Sequence, residues 1–116
     1  MRLIPLAAAA LALSLSFGSD ARADLVIQGR AAQALQCSAM LFMVSDELYR
    51  AGYITRNERD WAQGAAVQML AYVPGTQDQK VQAMKQRFDK LMRRTTMSSL
   101  MTQYNDTAKW CQKNFL

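Results

Sequence analysis

Cys37 and Cys111 are the only thiols in the chain, and the chemistry they offer is oxidation to one another. No C-x-x-C spacing is present to lower a thiolate pKa, so the pair reads as a structural disulfide rather than a redox centre. Two cysteines allow a single intramolecular pairing, which here ties the first helical segment to the end of the last. Closing a loop of about 75 residues is worth roughly 4 kcal/mol in the chain-entropy description. That is a large share of the stability expected of so small a domain.

Histidine is absent. With it go the commonest general base, the commonest metal ligand and the side chain that titrates nearest neutral pH. There is also no P-loop, no H-E-x-x-H, no C-x-x-C-H haem attachment and no S-x-x-K. What acid–base chemistry remains belongs to carboxylates, and Asp46, Glu47, Glu58 and Asp60 gather around Tyr53-Ile54. Two carboxylates in unlike environments can divide the roles of acid and base. Here Asp46 with Arg50, and Arg56 with Asp60, have the four-residue spacing of helix ion pairs instead. The cluster is therefore expected to be a solvated, charge-rimmed hairpin tip around two exposed apolar residues. The chain as a whole is expected to be non-enzymatic, with no cofactor.

Beyond residue 24 there are seven methionines: Met40, Met43, Met69, Met84, Met92, Met97 and Met101. Thioethers bind Cu(I), and Met40-x-x-Met43 has a usable spacing. Most of the seven fall on apolar helical stripes, where methionine is a flexible core filler, so no metal site is expected. Trp61 and Trp110 also fall on such stripes, and Trp110 adjoins Cys111, so both are expected in the core, Trp110 against the disulfide.

The net charge of +5 is unevenly placed. Residues 24–77 carry four Arg against five carboxylates, whereas residues 78–94 carry six basic residues against two Asp. Lys80, Arg87, Lys90 and Arg94 fall on one face of the third helical segment. Such a face suits anionic lipid headgroups, an envelope polyanion or an acidic partner. The plain alternative is a solvated face, with Asp89 offsetting Lys85 and Arg93 at four-residue spacing.

The elements that position these groups are helical. From 25 to 51, Ile27, Ala31, Ala34, Leu41 and Leu48 recur at helical steps, overlapped by Cys37, Leu41, Val44 and Leu48. Residues 39–44 are apolar all round, which predicts a segment enclosed on most sides. Gly52 suits a C-terminal cap. Thr55 with Glu58 fits a capping box and opens a second helix to about residue 72, with Trp61, Ala62, Ala65, Met69 and Tyr72 as its stripe. Small Gly64, Ala65 and Ala66 permit close approach of a neighbour. Pro74-Gly75 ends that helix, and Thr76 or Asp78 starts a third, to about residue 94, on Val81, Met84, Phe88, Leu91 and Thr95. The next stripe, Met97, Met101, Tyr104, Ala108, Cys111 and Phe115, is out of phase by two residues. Thr95 and Thr96 are weak helix formers and Thr96 can cap, so a break and a fourth helix are expected. Short connections favour antiparallel neighbours. The expected fold is all-α, a small three- to four-helix up-down bundle closed by one disulfide.

The first 23 residues set the compartment. Met1-Arg2 is a positive start, Leu3 to Phe17 is apolar, and Ala21-Arg22-Ala23 supplies small residues for cleavage. This is the layout of a secretory signal peptide, 1–23, preceding a helical domain, 24–116. The apolar run is shorter than the roughly 20 residues a spanning helix needs. The expected location is periplasmic or extracellular, where nucleic acid is not a partner. The leading expectation is an exported helical protein that binds another macromolecule, a protein partner first among them. A basic-face binder of an anionic membrane or envelope surface and a holdase-type chaperone are the alternatives. Small, disulfide-tied periplasmic acid-stress chaperones are similar in overall design, a likeness of architecture that no motif carries.

Overall fold

The computed structural model describes residues 27–116. The expected signal peptide and the first residues of the following domain lie outside the described residues. Those described are all-helical, with four helices, no strand and one disulfide. Helix α1 is one continuous run in three segments: α-helical Gly29–Ser38, π-helical Ala39–Val44 and α-helical Ser45–Arg50. Helix α2 is Arg56–Met69, extended by a 3-10 turn, Leu70–Tyr72. Helix α3 is Gln77–Met92 and α4 is Met97–Phe115.

The helix ends fall where short side chains satisfy the free backbone groups. Gly52 takes a positive φ of 85°. Around it Tyr53 N–H donates to Leu48 O at 2.8 Å and Gly52 N–H to Tyr49 O at 3.0 Å, the paired bonds of a Schellman ending. Thr55 and Glu58 form the expected reciprocal capping box, and Thr76 with Gln79 forms a second. Thr96 accepts from Ser99 N–H at 3.3 Å, so the break before α4 is real and capped.

Helix α1 is the hub. It packs on each of α2, α3 and α4, and its π segment touches all three. This is why residues 39–44 are apolar all round: Ala39, Met40, Leu41 and Val44 are buried, and Phe42 and Met43 are partly buried against the core. The π turn itself carries no simple sequence signature, but buried Ser38 and Ser45 bracket it. Each hydroxyl donates back to a carbonyl four residues earlier, Ser38 to Ala34 O at 2.8 Å and Ser45 to Leu41 O at 2.6 Å. The Phe42 carbonyl within the π turn accepts from Gln63 Nε2 of α2 at 3.2 Å.

Cross-helix pairs give the directions. Ser38 reaches Ala66 O, Phe42 O meets Gln63 and Asp46 meets Arg59, so α2 runs antiparallel to α1. Arg30 donates to Asn114 O at 2.7 Å, and Cys37 joins Cys111 with Cα atoms 5.8 Å apart, so α4 is antiparallel to α1 as well. Both half-cystines are buried. The close approach on α2 uses Ala65 and Ala66, which are buried, whereas Gly64 is exposed and nothing stands within 4 Å of where its Cβ would be.

All seven methionines lie in the core or packed against it. The tryptophans do not follow expectation. Trp61 is 47% exposed and Trp110 43%, as are Tyr72 and Val81 to a similar degree. The reason is the hub arrangement: α2, α3 and α4 each bury one narrow strip against α1 and leave the flanks of their stripes open. On α3 only Met84 is fully buried. Trp110 turns to Phe115, ring centroids 6.1 Å apart, at the open edge of the stripe.

Candidate functional site

Three of the four sequence-predicted basic residues converge. Arg87, Lys90 and Arg94, on α3 and the turn after it, line a surface groove of about 520 Å³ together with Gln36 of α1, Leu91, Thr95 and Gln103 of α4. It is open to solvent on one side, and its volume falls within the small-molecule range. No carboxylate lines it. Arg87 is half-buried and donates to Gln36 Oε1 at 3.3 Å, which fixes its guanidinium across the α1–α3 seam. Lys90 and Arg94 are exposed. Opposite them, the Gln103 amide donates to Thr95 Oγ1 at 3.0 Å and to Ser99 Oγ at 3.2 Å. Lys80 stands apart, its ammonium donating to the Leu70 carbonyl at 3.0 Å and closing the 3-10 turn after α2.

Gln36, Gln103 and Thr95 escaped the sequence reading. Nothing in their spacing relates positions 36, 87 and 103, which the fold alone brings together. Thr95 falls on an apolar stripe, and Gln36 sits between buried Leu35 and Cys37, where the helical period marks it only as off the core face.

The carboxylate cluster at the α1–α2 tip is engaged internally. Arg59, with a side chain only 19% exposed, spans Asp60 at 2.8 Å and Asp46 at 2.9 Å. Its guanidinium lies 4.6 Å from the Tyr49 ring centroid. The hydrogen bonds it donates to Asp60 and then to Asp46 raise its pKa above its ordinary value. Arg50 pairs with Glu47 at 2.7 Å and with Asp46 at 3.1 Å, and Arg56 meets Asp60 at 4.0 Å. Glu58 is occupied as a cap. These groups lock the hairpin. Ile54, expected at the exposed rim, is buried; Tyr53 alone stays exposed.

A second, mostly apolar groove of about 380 Å³ runs between α2 and α4, lined by Asn57, Glu58, Trp61, Tyr104 and Ala108. Burial pushes the Tyr104 phenol pKa up, and the charge of Glu58 adds to the shift. At the far end of the same two helices Tyr72 and Phe115 meet edge to face, centroids 5.0 Å apart, with the Arg30 guanidinium 4.3 Å from the Phe115 centroid. Among the described residues, no group of three or more His, Cys, Asp or Glu is placed to hold a metal ion, and no helix is long and apolar enough to cross a membrane. No family model matches the sequence, and no curated protein or solved structure proved significantly similar to it.

Proposed function

We propose that this chain is an exported, disulfide-closed, non-catalytic helical protein that acts by binding another macromolecule, and that the surface it binds is anionic. One observation carries the reading: Arg87, Lys90 and Arg94 line a single groove that contains no carboxylate. Cations solvated for their own sake are commonly offset by acidic neighbours. Three that share a concavity without one create a focused positive potential. The signal-peptide layout of residues 1–23 supports a location for that potential in the periplasm or outside the cell. Anionic lipid headgroups and envelope polyanions are the polyanions to be met there, and nucleic acid is not. The test is co-sedimentation with anionic and with neutral vesicles. Binding is expected to anionic vesicles only, to weaken as salt shortens the screening length, and to be lost in Arg87→Glu/Lys90→Glu. Equal binding to both vesicle types overturns the reading.

A protein partner, or a holdase-type activity toward unfolded chains, is favoured by a different observation. Trp61, Tyr72 and Trp110 are about half exposed on α2 and α4, and exposed aromatics are the residues that anchor protein contacts. This reading expects suppression of light scattering by an unrelated aggregating client. It expects Trp61→Ser/Trp110→Ser to lose that protection while Arg87→Glu/Lys90→Glu keeps it.

A further inference from the structure

The hydrogen-bonding groups of the basic groove point to a ligand more specific than negative charge. We propose that the groove is a site for a hydroxyl-bearing phosphate ester, such as the glycerol phosphate of a lipid headgroup or its soluble counterpart. The proposal rests on the anionic-surface reading above and sharpens it.

On the cationic wall, Arg87 and Lys90 lie about 4.5 Å apart along the axis of α3, and Arg94 follows in the turn after it. Arg87 is the fixed member, because Gln36 Oε1 accepts from it. That contact uses one of the two lone pairs of the Gln36 amide oxygen, and the Gln36 NH₂ remains a donor for an incoming oxyanion. Guanidinium, ammonium and amide N–H together form a donor-rich wall, suited to phosphate oxygens.

The facing wall has the opposite polarity. Both N–H donors of Gln103 are already used, on Thr95 Oγ1 and Ser99 Oγ. What Gln103 has left is a carbonyl oxygen, an acceptor. A bare oxyanion gains nothing from it, whereas an alcohol donates to it. A groove with donors along one side and an acceptor on the other fits a molecule that carries a phosphate and, a few bonds away, a hydroxyl group.

The experiment compares probes matched in charge and differing in hydroxyls. Purified disulfide-closed protein is titrated calorimetrically with glycerol 3-phosphate and with inorganic phosphate. It is also sedimented with phosphatidylcholine vesicles containing phosphatidylglycerol or phosphatidic acid. Recognition of the hydroxyl predicts that phosphatidylglycerol outcompetes phosphatidic acid although the latter carries at least as much charge, and that glycerol 3-phosphate outcompetes phosphate. Gln103→Leu is expected to cut that preference about tenfold, the worth of one hydrogen bond to a polar ligand. It should leave salt-sensitive binding to both anionic vesicles in place. Release of protein from phosphatidylglycerol vesicles by glycerol 3-phosphate assigns the site to a lipid headgroup. Binding of the soluble ester without vesicle binding assigns it to a free phosphate ester. Equal or stronger binding of phosphatidic acid and inorganic phosphate overturns the proposal but leaves the anionic-surface reading standing. Vesicle binding that survives Arg87→Glu/Lys90→Glu overturns both.

Discussion

The Ser38 hydroxyl lies 2.8 Å from Ala34 O in its own helix and 3.3 Å from Ala66 O in α2, so one buried side chain serves two helices. It does so at the entry to the π segment, where the backbone of α1 departs from its regular ladder. Ser38→Ala removes the bond to Ala66 and is expected to cost about 1 kcal/mol, the net worth of a buried hydrogen bond. Ser38→Leu must force α1 and α2 apart at Ala65-Ala66 and is expected to cost more, up to about 3 kcal/mol from overpacking. Urea unfolding of the two variants beside the parent measures both. If leucine is tolerated as well as alanine, the seam is not as tight as the Ser38–Ala66 distance implies.

The Cys37–Cys111 bond spans 74 residues of sequence and joins the hub helix to the C-terminal helix. In a reduced chain, α4 has lost its disulfide tie to α1 and is held by non-covalent contacts, chiefly those of buried Leu100, Tyr104 and Phe115. Cys37→Ala/Cys111→Ala is expected to lose about 4 kcal/mol, since the bond acts mainly by shrinking the unfolded ensemble. Denaturation midpoints of the parent and the double variant test this. Coincident midpoints would mean that the unfolded chain is held compact by something other than the disulfide.

Much of this architecture could be read from residue types. The capping box at Thr55, a cap at Thr76 or Asp78, the Gly52 ending, the pairing of Cys37 with Cys111 and the break before α4 all follow from local chemistry: an oxygen near a free N–H, a residue that accepts positive φ, two thiols with no other partner. What could not be read is which flank of each stripe faces the hub. A helical period says that Trp61, Tyr72, Val81 and Trp110 share an apolar side, but not how wide a strip the neighbour covers. With α1 central, that strip is narrow. The groove was half legible for the same reason. Arg87, Lys90 and Arg94 lie on one helix and their spacing shows it, whereas Gln36 and Gln103 reach them only through the packing of α1 and α4.

Thr96 is the cap that turns a phase slip into two helices. Its Oγ1 accepts from Ser99 N–H at 3.3 Å, and Thr96 O accepts from Leu100 N–H at 2.8 Å. Thr96→Ala leaves an N–H at the head of α4 without its side-chain acceptor and is expected to cost about 1 kcal/mol, while Thr96→Ser retains the cap and most of the stability. Thermal unfolding distinguishes the two. A serine variant as unstable as the alanine one would place the effect in lost methyl packing rather than in the cap.

Tyr104 gives the fold an alkaline limit. Its phenol is held against α2 near Glu58, and burial first, with the Glu58 charge second, raises its pKa above the ordinary 10.0. The folded state therefore keeps the proton at pH values where the unfolded state has released it. By linkage, the stability associated with neutral Tyr104 is fully present below about pH 10 and is lost as pH rises through the higher folded-state value. Tyr104→Phe keeps the ring and removes the titration. Between pH 9 and 11 the parent should lose stability more steeply than the Phe variant, the difference opening above about pH 10. Parallel stability curves for the two proteins across that range would show that the phenol is hydrated in the folded state, and that the groove between α2 and α4 admits water to the depth of Tyr104.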